Sequence, residues 1–296
     1  MSDKNKGIFF TIVSAVAYGL TPLLCPLAYD VGANPETVVF LRNFFALPIL
    51  LCIILSKKID IHLPKGIFWK VLVVSVLGMA TTNVLLYSGY TYLPVGTVTT
   101  LHFMYPVFVA LFGIIFFKEK LGKLKGIVLT VATCGIFFFM ETGSNVSMQQ
   151  ALVGILVSLA SGVTYAFYMV AIERMKLKDL NSYVLTFYIT LCTCVSVGIY
   201  AICIDKFTVF TMQPIGFVYT FIIAFGAAFL AVYTLQLGIK YLGASTAAIF
   251  CTFEPVTAVI GGMIFLHESM SMNKLIGCIL ILGAVTVLSI LDNKKN

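Results

Sequence analysis

The sequence predicts an all-α polytopic membrane protein: ten transmembrane helices in two inverted five-helix repeats, with both termini in the cytoplasm. Composition, an internal repeat and the distribution of positive charge support this fold class. Of the 296 residues, 60% are hydrophobic and 10% are charged, whereas a soluble domain carries about 25% charged residues. We therefore expect the chain to lie in a lipid bilayer.

The second half of the chain repeats the first. Early residues recur at a shift of 147 and later ones at a shift of 149, and a change of shift between apolar stretches is what loop insertions produce. We expect two units, 1–147 and 148–296. The matches include Gly7, Ser14, Tyr18 and Asn34 with Gly154, Ser161, Tyr165 and Asn181, and Gly89, Leu93, Pro106 and Glu119 with Gly238, Leu242, Pro255 and Glu268.

Ten apolar runs are each about long enough to cross ~30 Å of hydrocarbon as a helix. Polar residues and loops separate them, and the loops are too short to hold a soluble domain. The predicted spans are 7–29, 36–56, 66–89, 95–117, 122–141, 150–173, 180–204, 213–237, 243–266 and 271–291.

Positive charge predicts the orientation of these spans. Cytoplasmic loops collect lysine and arginine, and all of the 19 lysines and arginines except Arg42, Lys206 and Lys274 fall on the side of the N terminus. The net charge of +7 therefore reflects topology, and no nucleic-acid partner is expected. Because each repeat has an odd number of spans, the second repeat must cross the membrane in the opposite sense to the first.

Repeat-related prolines point to a solute site. Pro106 in the fourth span and Pro255 in the ninth occupy matching positions, and each removes a backbone donor within a helix. Broken helices at corresponding positions of two repeats often lie at the binding site of a transporter and take part in gating. Proline kinks without such a role are also common in membrane helices.

Glu254 directly precedes Pro255 and lies near the middle of the ninth span. A charge at that depth costs about 2.5–3.5 kcal/mol on insertion scales, so intramembrane acids usually mark a pathway. Glu254 is expected to bind a cationic group or to carry a proton. The alternative is a permanently neutral carboxyl group that is hydrogen-bonded to the kinked helix.

The fourth span supplies a second candidate pair. His102 and Tyr105 are three residues apart and share a helical face, and Tyr105 occupies the repeat position of Glu254. His102 is either a proton relay or a neutral, hydrogen-bonded structural residue. If the repeats are inverted, both faces approach one midplane region.

Further polar and aromatic residues recur at helical spacing in repeat-related spans, and we expect them to line the cavity. The alternative is helix packing, because serine, threonine and tyrosine also join membrane helices. These residues are Tyr18 in the first span, Asn83 and Tyr87 in the third, Tyr165 and Tyr168 in the sixth, and Tyr233 and Gln236 in the eighth.

Three other charged residues have two interpretations each. Arg42, inside the second span, either binds a carboxylate or phosphate through its planar fork or extends to the outer headgroups. Glu119 and Glu268 close the fourth and ninth spans. They either cap or dock the following helices or control a gate.

The motifs FLRNFFAL at Phe40, PVFVALFGIIFFKE at Pro106 and EPVTAVIGGMIFLHE at Glu254 resemble those of the drug/metabolite transporter superfamily, in particular its EamA-type exporters. The resemblance covers the whole chain. It implies a ten-helix carrier with a central cavity that moves amino acids, other metabolites or drugs, often outward. His102 has no counterpart in the family pattern.

The leading hypothesis is a secondary exporter of a small organic metabolite, such as an amino acid or another amine-bearing compound, in a bacterial cell membrane. In one version a zwitterion binds Arg42 and Glu254, and in another Glu254 couples transport to protons.

No cofactor, metal or catalytic residue is expected. A non-transporting receptor and an intramembrane enzyme are the alternatives, although no DDxxD or HExxH motif is present, and the missing GxxxxGK[ST] loop excludes an ATP-driven pump. The oligomeric state stays open.

Overall fold

The computed structural model describes residues 2–89, 92–93, 95–118, 122–138, 147–265 and 271–294, and over these ranges the chain is helical without a β-strand. The first half forms α1 (Asp3–Asp30), α2 (Pro35–Ser56), α3 (Lys65–Gly89), α4 (Val95–His102 and Tyr105–Phe117) and α5 (Lys123–Phe137).

The second half forms an equivalent series. Its helices are α6 (Met148–Arg174), α7 (Ser182–Cys203), α8 (Ile215–Leu242), α9 (Ala244–Cys251 and Phe253–Phe265) and α10 (Met272–Lys294).

Apolar length agrees with a multi-pass membrane protein. Eight helices of the described chain, α1–α4 and α6–α9, are long and apolar enough to cross a membrane. The two remaining spans predicted from the sequence correspond to α5, which has 15 residues, and to α10, whose apolar stretch covers Leu275–Val287. The prediction of an all-α polytopic membrane fold is confirmed.

Equivalent residues start equivalent helices in the two halves. The side chain of Asn34 accepts a hydrogen bond from the backbone N–H of Thr37 at 2.9 Å and caps α2, with Pro35 as the first helical residue. Asn181, 147 positions later, caps α7 through the N–H of Tyr183 at 3.0 Å. Asparagine is among the best N-cap residues because its oxygen satisfies a free helical N–H.

Glycines allow the first helix of each half to pack against the end of the third helix of the other half, or against the residues that directly follow it. A Cβ atom at Gly7 in α1 would lie 2.7 Å from Leu242 Cγ, and a Cβ atom at Gly154 in α6 would lie 2.6 Å from Leu93 Cγ. Gly7 and Gly154 are repeat equivalents, as are Leu93 and Leu242. Such reciprocal contacts are those expected of two halves related by an approximate two-fold axis.

The helices form a central bundle with one peripheral pair. Within the bundle, α1 packs on α8 and α9, α2 packs on α7, and α6 packs on α3 and α4, while α5 and α10 pack mainly on each other. We call the end of the bundle that carries the α1–α2 connection the α1–α2 end, and the opposite end the α2–α3 end. The predicted topology places the α1–α2 end outside the cell.

Two matching segments of wider helix interrupt α3 and α8. Both Val74–Ala80 and Ala224–Ala231 have the i→i+5 pattern of a π-helix. Short π-helical segments inside α-helices are rare and occur frequently at functional sites. These two segments give α3 and α8 a common distortion in the middle of the bundle.

Candidate functional site

The described residues enclose a cavity of about 350 Å³ between α1, α2, α3, the first segment of α4, α6 and α9. Tyr29 at the end of α1 and Pro35 at the start of α2 lie at its mouth, at the α1–α2 end. The predicted site residues that line it are Tyr18, Arg42, Asn83, Tyr87, His102, Tyr165 and Glu254.

The part of the bundle towards the α2–α3 end is tightly packed, and we call it the sealed half. A large apolar cluster fills it, with contributions from the last turns of α6, the start of α7, the end of α8 and the start of α9; Tyr168, Ile172, Leu185, Leu235 and Ala247 are members. At the α2–α3 end, a carboxylate oxygen of Glu173 accepts a hydrogen bond from the backbone N–H of Ala244 at 2.7 Å. The cavity is therefore open towards the α1–α2 end and sealed towards the α2–α3 end.

Glu254 lies at the inner part of the cavity and is 6% exposed. The helix breaks at Thr252, so Glu254 falls in the first turn of the segment Phe253–Phe265. Unpaired backbone N–H groups at a helix start favour a negative charge. The tyrosine hydroxyl of Tyr105 donates a hydrogen bond to Glu254 Oε1 at 3.2 Å.

Tyr105 and Glu254 are repeat equivalents that touch each other, since they are separated by 149 residues. Matching positions of the two halves therefore meet at this contact. Tyr105 is fully buried and supports Glu254 from behind the cavity surface.

His102 is held in the cavity wall by α6. Its Nδ1 atom lies 2.9 Å from Ser161 Oγ. The Ser161 hydroxyl donates its hydrogen to the Ser158 carbonyl at 2.6 Å, so its oxygen accepts from Nδ1–H. In the neutral imidazole the Nε2 atom then keeps the free lone pair. The ring centroids of His102 and Tyr165 are 5.5 Å apart.

Arg42 faces the interior of the bundle. It is 7% exposed, its Nη2 donates to Asn83 Oδ1 at 2.7 Å, and its Nη1 donates to the Tyr87 hydroxyl at 3.3 Å. An arginine that extends to the headgroups would leave its guanidinium exposed, so the buried position does not fit that interpretation.

Three residues expected in the cavity lie elsewhere, in the sealed half. Tyr168 is fully buried in the apolar cluster, Tyr233 stacks on Tyr183 with ring centroids 4.4 Å apart, and Gln236 Oε1 accepts from the hydroxyl of Thr186 at 2.9 Å. The reason is that the bundle is open at one end only, so equivalent residues of the two halves have different surroundings.

The helices break next to both repeat-related prolines. In α4 the helix ends at His102 and resumes at Tyr105, just before Pro106, and in α9 it breaks at Thr252, before Pro255. The sequence predicted that His102 and Tyr105 share one continuous helical face, whereas the break in α4 falls between these two residues. Glu119 and Glu268 lie outside the described residues.

Part of the cavity lining was not predicted from the sequence. Cys25 and Tyr29 continue the face of Tyr18 and Thr21 along α1 to the mouth of the cavity, and the spacing of three or four residues along this face was the available signal. Apolar lining residues carry no such signal because they match the rest of the membrane-facing sequence. They are Met79, Leu86 and Phe103.

The family model of the EamA-like transporter family matches residues 5–140 and 152–290. The chain belongs to this family, which is part of the drug/metabolite transporter superfamily, and is an integral multi-pass membrane transporter. The two matched segments correspond to the two halves described above.

Relatives with transporter names agree with this family. The uncharacterized transporter YcbK of Bacillus subtilis is 24% identical over 93% of this chain and 90% of its own length. An uncharacterized transporter of Synechocystis is 27% identical, but the match spans only 62% of its length and 70% of this chain. Human solute carrier family 35 member G1 is 28% identical over 57% of this chain and 48% of its own length.

A crystal structure superposes over 99% of both chains with a TM-score of 0.83 at 16% identity, which shows the shared fold.

Proposed function

We propose that this protein is a secondary carrier that exports a small amine-bearing metabolite, such as an amino acid, by alternating access of its two repeats. One observation carries the proposal: the cavity opens at one end, while the repeat equivalents of several of its lining residues are packed at the other end. An exchange of conformation between the halves would close the first end and open the second.

Pairs of equivalent residues show this asymmetry. Thr21 lines the cavity and its equivalent Tyr168 is buried in the sealed half; Tyr87 lines the cavity and its equivalent Gln236 is 1% exposed. The two members of each pair occupy equivalent positions in the two repeats but have different surroundings in the folded protein. This is the arrangement expected of one conformation in an alternating cycle.

Glu254 is the proposed partner of the substrate amine. It is the carboxylate among the described lining residues, it lies in the first turn of a helix segment, and it accepts a hydrogen bond from the Tyr105 hydroxyl. The aromatic rings of Tyr18, Tyr165 and Phe103 line the same space and can attract a cation through their faces. The volume of about 350 Å³ is at the lower end of the ~300–1,000 Å³ of small-molecule pockets, which favours a small metabolite.

Outward transport across a bacterial cell membrane is proposed from the predicted topology and the family resemblance. With the α1–α2 end outside, the open cavity would release solute to the exterior. Protons are a candidate coupling ion, with Glu254 as their carrier. A transport rate that is unchanged by a proton gradient would contradict proton coupling and leave the carrier proposal intact.

Efflux from proteoliposomes tests the proposal. Vesicles are loaded with amino acids, amines, nucleosides and sugars, and the retained solutes are measured by mass spectrometry for wild type, Glu254→Gln, Asp60→Asn and empty vesicles. Asp60 is an exposed acid in the α2–α3 connection, so its variant makes the same carboxylate-to-amide change away from the cavity.

We expect selective loss of amine-bearing solutes from wild-type and Asp60→Asn vesicles and retention by Glu254→Gln vesicles. No selective loss from protein that unfolds cooperatively would contradict the carrier proposal. Undiminished efflux through Glu254→Gln would remove Glu254 from the site.

A further inference from the structure

The cavity contains a buried positive charge. Arg42 and Asn83 are 7% and 5% exposed, and both line the cavity. Among the residues that the structure describes, no carboxylate forms an ion pair with Arg42. An unpaired charge inside a membrane protein is expensive and usually marks the path of a substrate or ion.

The hydrogen bonds of this pair are also incomplete. Arg42 donates to Asn83 Oδ1 and to Tyr87, while Arg42 Nε and Asn83 Nδ2 have no hydrogen-bond partner within the described part of the chain. A buried donor without a partner destabilises the fold, because it has lost its hydrogen bond to water. Two such donors on adjacent side chains at one wall of a cavity are therefore poorly explained by packing alone.

We propose that Arg42 and Asn83 form a subsite for a carboxylate of the transported solute. The planar guanidinium fork matches the two oxygens of a carboxylate, and the Asn83 amide adds a neutral donor beside it. The contact of Asn83 Oδ1 with Nη2 at 2.7 Å fixes the orientation of the fork. The proposal deepens the proposed function, because it adds a carboxylate to the amine assigned to Glu254.

The rest of the wall defines the third part of the solute. Met79, Leu86 and Phe103 line the cavity as well, so an apolar substituent would be covered by apolar side chains. The three surfaces together fit an α-amino acid with an apolar side chain. They disfavour a sugar, whose hydroxyl groups would lose hydrogen bonds at such a wall.

The test uses pairs of solutes that differ only in the carboxylate: leucine with 3-methylbutylamine and phenylalanine with phenethylamine. Binding and efflux of both members are measured for wild type, Arg42→Gln and Asn83→Asp in phosphatidylcholine vesicles, where no anionic headgroup competes. Asn83→Asp places a protein carboxylate beside Arg42, so it neutralises the subsite without removing the arginine. This variant keeps the test valid if Arg42→Gln folds poorly.

We expect wild type to bind both members of a pair. Both variants should bind the amino acid at least about tenfold more weakly, the loss of a hydrogen bond to a charged group. They should bind the amine at least as tightly as wild type, because each change removes net positive charge from the cavity. Wild type that moves amines but not their carboxylated partners would overturn the subsite alone, as would equal loss of both members in Asn83→Asp. Wild type that moves no solute of the wider panel would contradict the proposed function itself.

Discussion

The close approach of α1 and α9 beside the site makes Gly19→Ala a sharp test of the geometry. A Cβ atom at Gly19 would lie 2.5 Å from the backbone oxygen of Glu254 and 2.7 Å from Thr257 Cβ. Ordinary contact begins near 3.4 Å, so the two helices would have to separate by about 0.9 Å at the position that holds Glu254. The closest atom belongs to the backbone, and no side-chain rotation can relieve the overlap.

Overpacking of a core costs about 1–3 kcal/mol, and a rigid backbone contact places Gly19→Ala in the upper part of that range. At about 2–4 °C per kcal/mol, we expect the unfolding temperature of the purified protein in detergent to fall by about 4–12 °C. Efflux should also fall, because the displacement moves the Glu254 carboxylate relative to the rest of the cavity.

Gly283→Ala is the matched control. No atom lies within 4 Å of a Cβ at Gly283 in α10, and alanine stabilises a helix interior by about 0.8–1 kcal/mol relative to glycine. Its unfolding temperature should stay equal or rise. If Gly19→Ala proves as stable as Gly283→Ala, the described contact between α1 and α9 is wrong.

Three further substitutions have defined expectations. Tyr105→Phe removes the donor to Glu254 and should weaken amine binding about tenfold, measured as equilibrium binding; unchanged binding would show that the hydroxyl does not support the carboxylate. Glu173→Ala removes the acceptor for the Ala244 N–H and should lower the free energy of unfolding by about 1 kcal/mol, measured by denaturant titration; full stability would contradict the contact. Gly243→Ala should cost about 1–3 kcal/mol, because Gly243 has φ +79° and ψ 162°, a conformation that strongly favours glycine; a neutral result would exclude that backbone geometry.

Hydropathy and the repeat were enough to predict the helices. The predicted span 36–56 compares with Pro35–Ser56 in α2, and 180–204 compares with Ser182–Cys203 in α7. The first helix begins earlier than predicted, at Asp3, because the Ser2 hydroxyl accepts from the Asn5 N–H and caps it. A helix cap acts through one hydrogen bond, so it hardly changes the mean hydropathy of a span of twenty residues.

The repeat also located the centre of the site but could not show its asymmetry. Matching prolines pointed to the breaks in α4 and α9, and there Tyr105 contacts Glu254. The same pattern assigned Gln236 to the cavity, although it is packed in the sealed half. Two similar halves imply two alternative conformations, and a sequence pattern common to both cannot select one.

The pairing of Arg42 with Asn83 needed the fold. Each was a candidate alone, but 41 positions separate them, and only the packing of α2 beside α3 brings them together. The π-helical segments Val74–Ala80 and Ala224–Ala231 had no sequence signal, because an extra residue in a helical turn does not change an apolar composition.

Accessibility of equivalent positions tests alternating access most directly. Thr82 lines the cavity, and its repeat equivalent Ala231 is fully buried; both are small, so Thr82→Cys and Ala231→Cys in a cysteine-free background disturb the packing little. A membrane-impermeant thiol reagent is applied to intact cells and to inverted membrane vesicles, with and without transported solute. The account predicts that Thr82→Cys reacts from outside, that Ala231→Cys reacts from the cytoplasmic side, and that solute changes the two rates in opposite directions. Labelling of both positions from the same side, or no reaction of Ala231→Cys from either side, would contradict it.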